Sequence, residues 1–348
     1  DITLTAADFT PIGGNGSGNL FRGNYDGANY LIGDLTINKP STINVGLFGH
    51  IGIGAKITNL GLTNVDVAGA RGTGSLVGRV TGDETTLIEY CYADGGTVVG
   101  DGATGGLVGS NNSFETNPAN AEGKRPKISK SYANVDVTWS QNGNGDKIGG
   151  LAGCNQKGRV ENSYALGDVT VDNSTTNLST VERVGGLVGC TYLRGITINS
   201  YSAGQVIANN VDLVGGLVGY VGTGNDEGTV TDSYYDDYSG LTGTNPDLTN
   251  VTNDNTVGQT ATTNMKTEST FSTWTIAGTD VLNGETWGID DSENINNGYP
   301  YLTGKNSDSH LPVELLSLAA THTDNIIIVS WTTASEINND FFEVHFSE

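Results

Sequence analysis

Gly105-Gly106-Leu107-Val108-Gly109, Gly149-Gly150-Leu151-Ala152-Gly153, Gly185-Gly186-Leu187-Val188-Gly189 and Gly215-Gly216-Leu217-Val218-Gly219 are four copies of one phrase. Gly46-Leu47-Phe48-Gly49 and Gly74-Ser75-Leu76-Val77-Gly78 are looser copies upstream. The six leucines stand 29, 31, 44, 36 and 30 residues apart. A period of roughly 20 to 50 residues marks a solenoid, in which each unit buries its apolar face only against its neighbours.

A second phrase keeps step with the first. Ile128-Ser129-Lys130-Ser131-Tyr132-Ala133, Val160-Glu161-Asn162-Ser163-Tyr164-Ala165, Ile198-Asn199-Ser200-Tyr201 and Val230-Thr231-Asp232-Ser233-Tyr234 each set a β-branched residue shortly before Ser-Tyr. Leu87 to Ala93 is a degenerate copy, and Ile57-Thr58-Asn59-Leu60 holds the place in the first unit. A looser strand follows, as in Val135-Asp136-Val137, Val169-Thr170-Val171 and Gln205-Val206-Ile207. Each unit thus offers about three short strands separated by turn residues, and no window carries a helical apolar stripe. Stacked about 4.8 Å apart, such units form the coils of a parallel β-helix. Tyr132, Tyr164, Tyr201 and Tyr234 are then expected in one ladder, with Ser131, Ser163, Ser200 and Ser233 beside them. The long intervals place polar insertions at Asn111–Lys127 and Asp172–Glu182.

The Gly-Gly-Leu-Val-Gly phrase followed by Ser-Tyr-Ala resembles the GLUG repeat of bacterial surface and secreted proteins, including adhesin-like chains. Phe9 to Gly13 and Phe21 to Gly27 resemble the entry coil of such proteins. Ser233 to Asp236, Trp274, Trp287-Gly288-Ile289 and Asn297 to Leu302 resemble their exit segment. Leu311 to Leu316, Ser330 to Glu336 and Phe341 to Val344 look like a module near the C-termini of secreted Bacteroidetes proteins, often preceding a type IX secretion sorting domain. The expected fold is therefore all-β: a right-handed parallel β-helix of about seven to eight coils followed by a partial β-sandwich. Right-handedness follows from the general crossover preference and from the resemblance. The expected divisions are 1–45 as entry coil, 46–239 as repeats, 240–302 as exit cap, 303–310 as linker and 311–348 as an incomplete immunoglobulin- or fibronectin type III-like sandwich. The entry and exit segments are expected to cap the two open ends, which otherwise present edge strands.

Sixteen basic against 39 acidic residues leave a net charge of −23. Such a surface repels nucleic acid and anionic membranes. No apolar run approaches the roughly 18 residues of a membrane-spanning helix. The chain starts at Asp1 without a signal peptide, as a processed or excised piece would, so a secreted or cell-surface location is implied by the resemblance alone.

Cys154 and Cys190 follow the glycine phrase in consecutive units, so they are expected on adjacent coils, as a disulfide or as two buried thiols; Cys91 stands apart. Catalysis finds little support. Of the histidines His50, His310, His322 and His345, the first reads as a corner cap rather than a base. Parallel β-helices also host polysaccharide lyases and hydrolases, whose sites need clustered carboxylates. Asp232, Asp236 and Asp237 are the best such cluster, and no stretch of Arg and Lys forms a patch for polyanionic sugars.

No cofactor is expected apart from structural Ca²⁺, for which Asp290, Ser292 and Asn294 offer alternate oxygens without the EF-hand pattern. For stacking on sugars, Trp139 and Phe114 are expected to be exposed, with Tyr235 and Tyr238 as weaker candidates near the last coil. The expectation is a non-catalytic adhesin-like or display scaffold that binds an extracellular glycan or surface protein. Self-assembly through the solenoid ends or the C-terminal module, and polysaccharide cleavage, are its rivals.

Overall fold

The computed structural model describes residues 1–4, 9–14, 18–115, 123–140, 147–172, 183–209, 211–236, 257–260, 262–277, 286–290, 295–303, 315–323 and 326–333. Three parallel sheets run along the stack. One contains the glycine phrases, with strands Phe48–Gly52, Val77–Gly82, Val108–Ser113, Ala152–Gln156, Val188–Tyr192 and Val218–Val221 paired in chain order. A short sheet just before it holds Thr104–Gly105, Lys147–Gly149, Arg183–Gly185 and Leu213–Gly215. The third, of 16 strands, carries the Ser-Tyr phrases and the looser strands after them. Each pairing joins equivalent positions of consecutive repeats, as in Ala152↔Val188↔Val218 and Tyr132↔Tyr164↔Tyr201. These are the stacked coils that the repeat predicts.

The interior is a set of ladders. Leu47, Leu76, Leu107, Leu151, Leu187 and Leu217 are all buried in one core, together with Phe48, Val77, Val108, Ala152, Val188 and Val218. Across from them stand Ile57, Ile88, Ile128, Val160 and Val230. Thr197 fills that ladder between Val160 and Val230, whereas Ile198 pairs with Glu161 on the less buried side. The β-branched residue read from the sequence is thus one position late in this repeat. Polar bonds hold Thr197 inward: its hydroxyl lies 2.9 Å from Thr191 Oγ1 and 3.4 Å from Asn155 Nδ2. Asn111 Nδ2 donates to Asn155 Oδ1 at 3.1 Å, continuing the buried polar ladder. Asn111 is therefore part of a coil, and the first insertion leaves after Ser113 rather than at Asn111.

The corner before Ser-Tyr explains its own residues. Asn59, Tyr90, Lys130, Asn162, Asn199 and Asp232 all sit at φ between 44° and 54°. This left-handed conformation disfavours most side chains but is cheap for Asn and Asp. The turn interrupts the backbone ladder, and the next residue repairs it. Ser163 Oγ donates to Glu161 O at 2.8 Å and accepts from Ser131 N–H at 3.3 Å. Ser131, Ser200 and Ser233 repeat the pattern on their own coils. In the later repeats the corner also splits the expected strand in two, as in Arg159–Glu161 and Tyr164–Ala165, whereas Lys56–Ala68 and Leu87–Gly100 run through it unbroken.

Tyrosine and alanine after the serine point to opposite sides, as successive strand residues must. The alanines enter the coil core. Tyr92, Tyr132, Tyr164 and Tyr201 stack outside it with ring centroids 4.7–5.0 Å apart. Met265, Phe271, Trp274, Trp287, Ile289 and Leu302 cluster with these tyrosines and cover the aromatic ladder. Trp274 and Trp287 stack on each other at 4.5 Å, and Trp287 reaches Tyr164 and Tyr201. Val257–Thr260 adds a parallel strand beyond Ser233–Asp236, at the last Ser-Tyr coil, while Trp274 and Trp287 lie along the tyrosine flank. Tyr235 instead enters the interior at the last Ser-Tyr coil and is fully buried.

The entry segment adds to the opposite end. Ile12 and Phe21 bridge to Phe48 and Ile51, and Asn24–Gly33 pairs in parallel with Lys56–Ala68. Near the C-terminus, Leu315–Thr323 and Ile326–Thr333 form an antiparallel hairpin. Among the described residues, no helix is long and apolar enough to cross a membrane.

Candidate ligand-binding groove

Two ladders face each other between the glycine-phrase sheet and the short sheet. From the first come His50, Arg79, Ser110, Cys154, Cys190 and Tyr220, which occupy equivalent positions on consecutive strands. From the second come Lys147 and Arg183, register partners on adjacent coils. Arg71 projects from the turn before the phrase of its own repeat. Between them lies a cleft of about 290 Å³ lined by Asn44, Arg71, Arg79, Ser110, Asn112, Lys147, Cys154, Gln156 and Tyr192 among others. Among the described residues its lining has no carboxylate, although Asp101 lies near enough to Arg71 to feel its charge.

The electrostatics of the cleft are dominated by burial and like charge. Arg79 has its pKa lowered first by desolvation and then by the Arg71 guanidinium, with Cys154 acting the other way. Its Nε meets no acceptor among the described residues. Arg183 lies 4.7 Å from the Tyr220 ring centroid, a cation–π contact. His50 lies in the strand Phe48–Gly52, not at a corner, with Nε2 2.9 Å from Thr81 Oγ1. Burial and then Arg79 lower its pKa to about 4, so it stays neutral near pH 7. The cationic groove was missed in the sequence because its members are scattered between positions 71 and 183. Only the coil register brings them together. Their offsets from the glycine phrase were the available signal.

The other candidates are placed as follows. Trp139, expected to be exposed, is 2% exposed and packs with Val137, Ile148, Val171 and Val184 in a satellite core. Its ring offers no free face to a sugar, because the third strand and the short sheet close over it. Phe114 is 40% exposed, with the Lys124 ammonium 6.0 Å from its ring. Tyr235 is enclosed, as described above, and Tyr238 and Asp237 lie outside the described residues. Asp236 is buried and accepts a hydrogen bond from the Tyr299 hydroxyl. Asp290 accepts from Ile295 N–H at 3.0 Å, and Ser292 and Asn294 lie outside the described residues. Cys154 and Cys190 stand on adjacent coils as expected, both buried, with their sulfurs 3.2 Å apart. Cys91 is a buried thiol as well.

The GLUG motif model matches residues 147–170, which include one glycine phrase and the Ser-Tyr phrase after it. A protein described as a Gly-rich membrane protein, from Evansella cellulosilytica, is 29% identical over 319 residues, covering 68% of this chain and 36% of that protein. An immunoglobulin A1 protease of Streptococcus pneumoniae is 30% identical over 191 residues, which is 48% of this chain and 9% of the protease. Halomucin of Haloquadratum walsbyi is 34% identical over 154 residues, 43% of this chain and 2% of halomucin. The chain thus spans little more than a third of the first relative and a small part of the other two. A solved structure described as an immunoglobulin A1 protease from Bacteroides ovatus superposes with a TM-score of 0.58 at 21% identity, covering 87% of this chain and 83% of that one. That likeness is one of fold. The chain carries a GLUG motif on a parallel β-stack and shares part of its length with proteins of different names.

Proposed function

We propose that this chain is an extracellular, non-catalytic scaffold of adhesin type, a right-handed parallel β-helix that holds a glycan or surface protein against its flank. The observation that supports this most is the continuous register of the three sheets, in which like residues stack coil upon coil and leave grooves and insertions along a stiff rod. A rigid repeat of this kind suits display, since every coil repeats the presentation of the last. The different names of its relatives favour the same reading, because the shared region is only a part of each. On this reading, residues 311–348 belong to a C-terminal module connected with export in the manner of type IX-secreted proteins.

The relatives named immunoglobulin A1 protease make cleavage the chief rival, and a filament subunit is the second. The test uses the purified chain on immobilised glycans and whole cells, alongside incubation with immunoglobulin A1 and with neutral and acidic polysaccharides. Retention on glycan or cell surface with no new fragments is the expected result. New polypeptide or saccharide ends would overturn it, and ordered filaments under light scattering and negative-stain microscopy would replace adhesion with assembly.

A further inference from the structure

We infer that the groove between the glycine-phrase sheet and the short sheet binds an acidic saccharide unit, one carboxylate-bearing sugar within an otherwise neutral glycan. This deepens the adhesin reading and rests on it.

Charge is the first observation. The chain has 39 acidic and only 16 basic residues, yet Arg71, Arg79 and Lys147 line one cleft whose described lining holds no carboxylate, the nearby Asp101 interacting with Arg71 from outside that lining. Arg183, the register partner of Lys147, extends the cationic strip by one coil. Surface cations in a chain this acidic would ordinarily be dispersed among carboxylates.

The second observation is the state of Arg79. Its guanidinium is partly buried beside the like charge of Arg71, and its Nε finds no acceptor among the described residues. A carboxylate seated in the cleft would supply both the acceptor and the counter-charge. Such charge-assisted bonds to guanidinium are among the stronger hydrogen bonds.

The rest of the lining selects the kind of anion. Asn112 and Gln156 bring amides that can bond hydroxyls, and Tyr192 brings an aromatic ring. These groups match a pyranose better than a bare inorganic anion. The cleft, at about 290 Å³, has room for a short saccharide. A long polyanion is disfavoured, because outside the groove it would meet a surface of net charge −23.

The test is calorimetric titration of the purified chain with sialyllactose, with a glucuronate-terminated oligosaccharide and with lactose as the neutral control. At least one acidic sugar should bind about tenfold or more tighter than lactose, and Arg71→Gln and Arg79→Gln should each remove most of that preference. Arg71 is exposed, so its variant should keep the wild-type melting temperature even if Arg79→Gln does not fold. Lys147→Gln provides a third probe on the opposite wall. Equal binding of acidic and neutral sugars, or a preference unchanged in Arg71→Gln and Lys147→Gln, would overturn the site while leaving adhesion standing. Failure to bind any of the sugars or any cell surface would overturn the adhesin reading itself.

Discussion

Gly150 faces Ala165 across the coil interior: a β-carbon built on Gly150 would stand 2.9 Å from the Ala165 β-carbon and 2.1 Å from the Gly186 carbonyl oxygen. Gly106 stands in the same relation to Ala133, and Gly186 to Ser202. The two repeated phrases are thus two sides of one contact, which is why they occur in step. Where the ladder of Ala93, Ala133, Ala165 and Ser202 gives way to Tyr235, the ring lies directly against Gly216.

Gly150→Ala is therefore expected to destabilise strongly. None of the phrase glycines from Gly105 to Gly219 has a positive φ, so the cost comes from close approach and not from backbone conformation. Overpacking a rigid interior costs about 1–3 kcal/mol, and more where backbone is the obstacle. Urea unfolding would measure it against Gly18→Ala, whose β-carbon meets nothing within 4 Å. The control should shift by no more than about 0.5 kcal/mol. Equal effects at the two sites would remove close packing as the reason for the phrase.

The tyrosine ladder is expected to anchor the exit segment. Tyr164 is fully buried, stacked on Tyr132 at 4.7 Å and Tyr201 at 5.0 Å, and touched by Trp287. Tyr164→Ala should cost about 3–5 kcal/mol, the range for removing a large buried ring. Because Trp274 and Trp287 rest on this strip, the near-ultraviolet circular dichroism of the tryptophans should weaken as well. Loss of stability without that change would mean that the exit segment is held by other contacts.

The stack was legible in the sequence because coil register converts a period into ladders, and like residues recur in many of the buried ones. The tyrosine, serine and leucine ladders all follow from that rule. Single positions were less legible. Trp139 looked exposed because it borders a polar stretch, but the period of two in Val135, Val137 and Trp139 points all three inward. Thr197 displaced Ile198 because buried hydroxyl and amide partners outweighed apolar size. The cationic groove was hidden for a different reason: it joins two ladders from different sheets, and no local pattern encodes which ladders face each other.

His50 gives a pH dependence. Its folded pKa of about 4 lies below the ordinary 6.5, through burial and then Arg79, so protonation favours the unfolded chain. The stability it confers is complete above pH 6.5 and is lost as the pH falls from there towards 4. His50→Gln, which keeps a polar partner for Thr81, should lose less stability than the wild type across that window. The many carboxylates titrate in both proteins, so the difference between the two curves isolates the imidazole. Parallel curves would show that His50 titrates normally.

The thiols should be silent until the coil opens. Burial is the main cause that pushes the Cys91 thiol up to about 12 and the Cys190 thiol well above its ordinary value. Thiolate is the reactive form, so little of either is available at pH 8. Cys154 is 3% exposed and adds little access. The folded chain should thus react slowly with a disulfide reagent, and all three cysteines should react in urea. A small diffusible oxidant should behave differently, because the Cys154 and Cys190 sulfurs are 3.2 Å apart while Cys91 has no cysteine beside it. Peptide mapping after oxidation should find the Cys154–Cys190 bridge, with Cys91 still a thiol. Recovery of Cys91 in a bridge, or of chains linked to each other, would show that the two coils separate before the sulfurs can join.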